Sequence, residues 1–328
     1  MFLKASAFLL LLPAIVVGLP LDASSESISK WNDFVQTHQK VYESPEEETK
    51  RFAIFHENMK KAQKHNEEHN GMATFGATQF SDLTSEEYLS MFREEEPTVT
   101  LGNAPTIRCT HDRTKPYSAR KDWSNHTTHV KQQGLCGSCY IFSVLGAIDA
   151  HLSIRRGVGN VDLSEQDVLD CAAFATCISG SRTNVYGFAE THGVLLEKDY
   201  DSYKAQKKVC NNQKDEKAPK IRINGHCALP RNEDDIARAI DQVGPVAVGI
   251  AMTEEFKQYT GGILSVNGCP NTYTNHAVLA VGYGTENGHD YWLIKNSHGT
   301  GWGQNGYFKL ARGKNMCGVA VYANYPVL

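Results

Sequence analysis

No basic stripe runs through this sequence. Its 33 lysines and arginines against 37 aspartates and glutamates leave a formal net charge of only −4, which offers nucleic acid no electrostatic footprint. Once the N-terminal leader is passed, no run of about 18 consecutive apolar residues occurs, so no membrane-spanning helix is expected in the processed chain. Internal repeats and low-complexity tracts are missing too. One Cys-x-x-Cys is present, at Cys136 and Cys139, with no second to complete a zinc site. No metal and no cofactor is expected. Cysteine itself is missing from residues 27 to 92, which marks that stretch as a unit apart from the rest.

The leader is where apolar residues do gather. Lys4 precedes an apolar stretch from Ala5 to Val17, and the small residue Gly18 follows. That order predicts a signal peptide over residues 1–18, too short for a comfortable membrane span. A secretory route permits disulfides. The nine cysteines are Cys109, Cys136, Cys139, Cys171, Cys177, Cys210, Cys227, Cys269 and Cys317. Nine is odd, so at least one thiol is left over, to react or to pair with another chain. Asn125-His126-Thr127 is an N-glycosylation sequon, which predicts Asn125 on the surface.

Residues 27–90 are polar, rich in Glu and Lys, and helical in pattern. Glu47, Arg51, Phe55, Asn58, Ala62 and Asn66 recur at steps of 4, 4, 3, 4 and 4, which puts all six on one helix face. By itself this describes an ordinary amphipathic helix. Residues 91–115 break the pattern with Glu94-Glu95-Glu96-Pro97, Gly102 and Pro105. They read as an exposed linker suited to proteolytic nicking. In residues 116–328 helix signals come first, over Tyr140 to Ile154 and from Ser164 onward. Strand signals follow at Val246 to Ile250, His276 to Tyr283, Tyr291 to Lys295 and Tyr307 to Leu310, with glycine-rich turns between. Helices followed by strands predict an α+β protein of two lobes.

A thiol is a poor nucleophile until it loses its proton. It needs a basic partner and a donor for the oxyanion formed on attack. In Gln133-Gly134-Leu135-Cys136-Gly137-Ser138-Cys139-Tyr140 a loop runs into a helix, so Cys139 falls at a helix N-terminus. The dipole there favours the thiolate. His276 lies 137 residues downstream in Asn275-His276-Ala277-Val278, and Asn296 lies 157 downstream in Lys295-Asn296-Ser297. A nucleophilic Cys with His and Asn about 130–150 residues on is a known peptidase spacing, and Asn296 runs slightly past it.

With QQGLCGSC, NHAVLAVGYG and YWLIKNSHGTGWGQNGYFKLARGKNMCG, residues 116–328 resemble the papain-like cysteine peptidases, the cathepsin family. The resemblance implies a two-lobed fold with a helical lobe and a β-barrel-like lobe. It implies Cys139 as nucleophile, His276 as general base, Asn296 as the residue orienting the imidazole, and Gln133 with the Cys139 N–H as oxyanion donors. Glu47, Arg51, Phe55, Asn58 and Asn66 resemble the ERFNIN pattern of the family's inhibitory propeptide, with Ala62 where Ile is usual. Phe75-Gly76-Ala77-Thr78-Gln79-Phe80-Ser81-Asp82 resembles the segment that follows it, in a form closer to cathepsin F than to cathepsin L. The implied protein is a zymogen in the lysosome or outside the cell. It acts on protein or peptide substrates as a monomer, and is inhibited by its own propeptide and by cystatin-like proteins. The implied disulfides are Cys136 with Cys177, Cys171 with Cys210, and Cys269 with Cys317. Cys109 and Cys227 are unexplained by the common pattern. They are expected to bond each other and tie the N-terminal segment to the body.

Some positions depart from the family pattern. Tyr140 follows the nucleophile where Trp is usual. His298 replaces a Trp that, in the family, shields the His–Asn hydrogen bond from water. A wetter bond is weaker, so activity is expected to be retained but reduced, and His298 also brings a titrating group beside the site. Gly180, Ser181, Arg182, Gly249, Ala277 and Tyr322 fall where the substrate chain and the side chain two residues before the scissile bond are usually held. Arg182 is expected as a solvated surface charge, with a preference for acidic substrates as the other reading. Cys177 to Gly193 carries no insertion of the kind that restricts cathepsin B, which favours endopeptidase action. Two other classes compete. A thioredoxin-type redox site leaves the His and Asn motifs unexplained. A catalytically weakened or inactive homologue acting as a binding protein is opposed by the intact Cys139, His276, Asn296 and Gln133.

Overall fold

The computed structural model describes residues 23–93, 109–157 and 161–328. The expected signal peptide and the middle of the expected linker lie outside the described residues.

The prosegment begins with α1 (Ser25–Thr37) and α2 (Pro45–His69). Ser24 and Ser44 cap them, each hydroxyl accepting from a main-chain N–H in the first turn. Pro45 opens α2 with three glutamates behind it, as a helix N-terminus favours. Trp31 and Phe34 of α1 pack on Phe52 and Phe55 of α2 as a small aromatic core. The short strand β1 (Ala73–Phe75) follows, then α3 (Ser85–Leu89). Thr84 and Glu87 close a reciprocal capping box at the start of α3.

The body continues with β2 (Lys121–Asp122), α4 (Cys139–Arg156), α5 (Glu165–Cys171), α6 (Arg182–Thr191) and α7 (Asn212–Lys217). Then come β3 (Gly225–Ala228), α8 (Glu233–Gln242), β4 (Val246–Ile250), β5 (Tyr259–Leu264), β6 (His276–Glu286), β7 (His289–Lys295), β8 (Tyr307–Ala311) and β9 (Ala323–Val327). Ser164 caps α5 rather than lying inside it. The sheet runs β1-β5-β8-β7-β6-β4-β9-β3, with β2 also on β6. Its pairs are antiparallel except β5 with β8.

This is the expected α+β fold of two lobes. One core is helical, built on Ile141, Val144, Ile148 and Leu152 of α4 with Leu169 and Tyr186. The other fills the sheet with Val248, Phe256, Trp292, Trp302 and Phe308. Helix α4 is apolar nearly all round because it lies in the seam, against β6 and β9. No described helix is long and apolar enough to cross a membrane.

Two parts of the expected linker are anchored to the rest of the fold. Met91 and Phe92 are buried. Residues 109–115 lie against the body: Cys109 is bonded to Cys227, Thr110 and His111 meet the Tyr325 hydroxyl, and Arg113 forms two hydrogen bonds to Asp235. Their composition is that of a loop. Their anchoring comes from partners more than 100 residues away, which local pattern cannot report.

Candidate active site

Cys139 is the first residue of α4, and no acidic residue sits in that first turn to oppose a thiolate. It is 1% exposed and enters none of the four disulfides. His276 is the first residue of β6, the strand that α4 packs on. Its Nε2 and the Asn296 Oδ1 are 2.8 Å apart. Asn296 follows the last residue of β7, and its Oδ1 also accepts from the Ser297 N–H at 2.9 Å. The amide oxygen is thereby fixed toward the imidazole, which leaves the His276 Nδ1 as the ring's chemical end. That nitrogen is buried and makes no hydrogen bond.

Gln133 is held at both ends of its amide. The Ser297 hydroxyl donates to Oε1 at 2.6 Å, and Nε2 donates to the Cys136 carbonyl at 2.9 Å. The nitrogen is thus directed toward the loop that carries Cys139. Tyr140 lies beneath Gly180, where any Cβ would run into its ring, and its hydroxyl donates to the Thr176 carbonyl at 3.0 Å.

The prosegment covers this chemistry. Asn58 donates to the Ser81 and Leu83 carbonyls, and Asn66 exchanges two hydrogen bonds with the Phe75 main chain, each 2.8 Å. Arg51 bridges Glu47 and Glu87. These polar members of one helix face hold the chain that follows as it crosses the body. There β1 pairs with β5, Lys257 donates to Asn58 and Leu83, and Gln79 donates to the His298 carbonyl at 2.7 Å. Lys257 is fully buried, and desolvation lowers its ammonium to about 8.

At the end of that path Phe92 stands edge-on to His276, with ring centroids 4.8 Å apart. Burial pushes the His276 imidazole down to about 4. Burial thus favours the neutral imidazole beneath the prosegment. His298 stacks on the other side of His276 at 5.3 Å and is itself fully buried. In this covered form the His276–Asn296 bond is shielded from water, whereas the expected wetter bond concerns the uncovered enzyme. His276, Asn296 and His298 are all buried beneath prosegment rings.

The pocket candidates come together. Gly249 faces Ala277 across β4 and β6, and its N–H donates to the Tyr322 carbonyl at 3.1 Å. Arg182 donates to the same carbonyl at 3.0 Å, with its guanidinium 4.4 Å from the Tyr322 ring centroid. Ser181 precedes it and is buried. The expected surface charge at Arg182 is corrected: the residue is fully buried at the start of α6, lying over the Tyr322 ring. The Thr183 and Tyr322 hydroxyls bond each other and fix that ring.

Disulfides join Cys109–Cys227, Cys136–Cys177, Cys171–Cys210 and Cys269–Cys317. Asn125 is exposed, in a short turn. The sequence singles out neither Phe92 nor Lys257, and names Gln79 only within the Phe75 to Asp82 segment. An aromatic residue just before an acidic run was the one local sign for Phe92.

A model of the papain family cysteine proteases matches residues 117–327, and one of the cathepsin propeptide inhibitor domain (I29) matches residues 31–88. Cathepsin F of Mus musculus is 37% identical over 320 residues, covering 94% of this chain and 67% of that protein. Pro-cathepsin H of Mus musculus is 35% identical over 323 residues, 94% of this chain and 94% of that protein. Among solved structures, digestive procathepsin L 3 of the Tenebrio molitor larval midgut matches with a TM-score of 0.83 at 35% identity, over 93% of this chain and 100% of that one. Sequence, fold and covered site agree, and the chain belongs to the papain family of cysteine proteases, as a zymogen carrying its propeptide inhibitor domain.

Proposed function

We propose that the processed chain is a thiol endopeptidase of the secretory pathway, acting in the lysosome or outside the cell and activated in acid. The buried 2.8 Å His276–Asn296 pair beneath Phe92 carries this reading. Once Phe92 has gone, water and substrate reach His276, and its imidazolium stabilises the Cys139 thiolate. The sulfur attacks a peptide carbonyl, and the oxyanion is held by the Gln133 amide and the Cys139 N–H. His276 gives its proton to the leaving amine, which leaves a thioester. Water then attacks the thioester as His276 takes its proton, and the acid product and the thiol are released. Asn296 keeps the imidazole oriented through both steps. Gly180 holds the substrate backbone, and Ser181, Arg182, Gly249, Ala277 and Tyr322 form the pocket for the side chain two residues before the cut.

The body is proposed to start at Cys109, with the activating cut between residues 94 and 108. The test is acid incubation of the precursor, N-terminal sequencing, and titration with an epoxide that alkylates activated thiols. Labelling at Cys139 in the processed form supports the enzyme. A folded, processed sample that resists labelling is the binding-protein homologue instead.

A further inference from the structure

His298 is enclosed by rings and hydrogen-bonded through neither ring nitrogen. Both nitrogens are buried without a hydrogen-bond partner. Phe80 meets the ring edge-on at 5.1 Å, Phe92 lies tilted at 5.7 Å, Trp302 is edge-on at 5.4 Å and His276 is stacked at 5.3 Å. Two of these four rings belong to the prosegment. The one titratable group among them is His276, whose own charge would repel a charge on His298. Gln79, which holds the His298 carbonyl, leaves with the same stretch of chain as Phe80 and Phe92.

A charged imidazole has no place in this box. It would need two acceptors for its two N–H groups, and the surrounding rings provide none. Burial first, and then the neighbouring His276, hold the ring well below the ordinary histidine range, against a smaller opposing contribution from the Ser297 main chain. Departure of the prosegment removes two walls and admits water, which relieves the desolvation that holds the ring neutral, and its proton affinity rises. The closed form thus binds fewer protons than the open form, so falling pH favours opening. For one such proton the effect approaches about tenfold per pH unit once the pH is below the open ring's proton affinity.

We propose that His298 is an acid-release switch of this zymogen: the prosegment closes only over the neutral ring, and protonation of that ring drives Phe80 and Phe92 away. The proposal rests on the zymogen reading above. It covers a range that the interface carboxylates do not. Glu87 is held down to about 2 by Arg51, so that pair begins to lose its stabilising effect only below the free carboxylate value of about 4.5, whereas a histidine freed from burial titrates well above it. His38 and His69 also lie on the prosegment side and are common to every variant compared.

The precursor with Cys139→Ser, which cannot cut itself, is the protein to use. Hydrogen-exchange protection of residues 73–92 is followed through acidification, with His298 intact and with His298→Phe or His298→Trp. Both variants are expected to open at a pH lower by about one unit, with one proton fewer in the slope. Variants that open with the unaltered midpoint and slope overturn the proposal. Should both lose protection already at neutral pH, the His298 ring titration in Cys139→Ser decides by NMR. A ring that stays neutral for as long as the prosegment is protected upholds the switch. A ring that protonates near pH 6.5 beneath a protected prosegment overturns it. Failure of the zymogen reading has a separate signature: precursor with Cys139 intact would then be alkylated at neutral pH as fast as the processed form.

Discussion

Phe92 and His276 face each other edge to face, ring centroids 4.8 Å apart at 66°. The prosegment thus reaches the His276 imidazole with a hydrocarbon ring that offers it no proton and no acceptor. Phe92→Ala removes that ring while leaving the aromatic core of α1 and α2 intact. Truncating a buried Phe costs about 3–5 kcal/mol, so the open fraction should rise by at least about 100-fold. The rate of Cys139 alkylation in the uncut precursor at neutral pH measures it. An unchanged rate would mean that Phe92 is not the lid.

Arg51 holds Glu87 well down, at about 2. A depressed carboxylate stabilises the folded prosegment above its free value of about 4.5, and that contribution fades as pH falls toward 2. Glu87→Gln should make the precursor more sensitive to an added protease at pH 6. The difference from the unaltered precursor should shrink steadily in stronger acid. A gap that persists there points to lost capping at Thr84 rather than lost charge.

Arg182 buries its guanidinium over the Tyr322 ring of the proposed specificity pocket, so an acidic substrate side chain would have to reach it past that ring. Substrates with Asp or Glu two residues before the cut should be preferred over Leu or Phe. A charge-assisted hydrogen bond of about 1.5–3 kcal/mol corresponds to roughly 10- to 150-fold in kcat/KM. Arg182→Met should reverse the order in a peptide library. Cleavage confined to apolar residues in the unaltered enzyme would exclude the acidic preference.

The Cys109–Cys227 bond spans 118 residues. Non-reducing peptide maps of the processed enzyme should find Cys109 retained on the body, and its release with the prosegment would defeat the strap. Chain entropy assigns such a long loop about 4–5 kcal/mol. Replacing both cysteines by serine should lower the melting temperature without changing the rate of epoxide labelling.

The helix face from Glu47 to Asn66 was legible because helical periodicity is local. Its partners were not. Asn58 and Asn66 bond main-chain atoms of Ser81, Leu83 and Phe75, which no side-chain pattern encodes. Strands β4, β6, β7 and β8 were legible from their apolar runs, whereas β1, β2, β3, β5 and β9 were not, β1 and β2 being very short and β5 glycine-broken. Arg182 was misjudged because arginine is seldom fully buried, and its cover comes from α6 folding over Tyr322. His298 stood out as a departure, but its aromatic box required Phe80 and Phe92, which lie more than 200 residues earlier in the chain.

The pairing of β1 with β5 bears on the solubility of the processed enzyme. Removing the prosegment uncovers one side of β5, and exposed strand sides invite aggregation. This one is a poor template. The β1–β5 register slips between Thr74 and Phe75, and Gly262 sits at φ 75°, where a Cβ would collide with the Met72 carbonyl. A regular, flat strand from another molecule does not match that kinked contour, so the surface that receives the inhibitor is shaped against indiscriminate polymerisation.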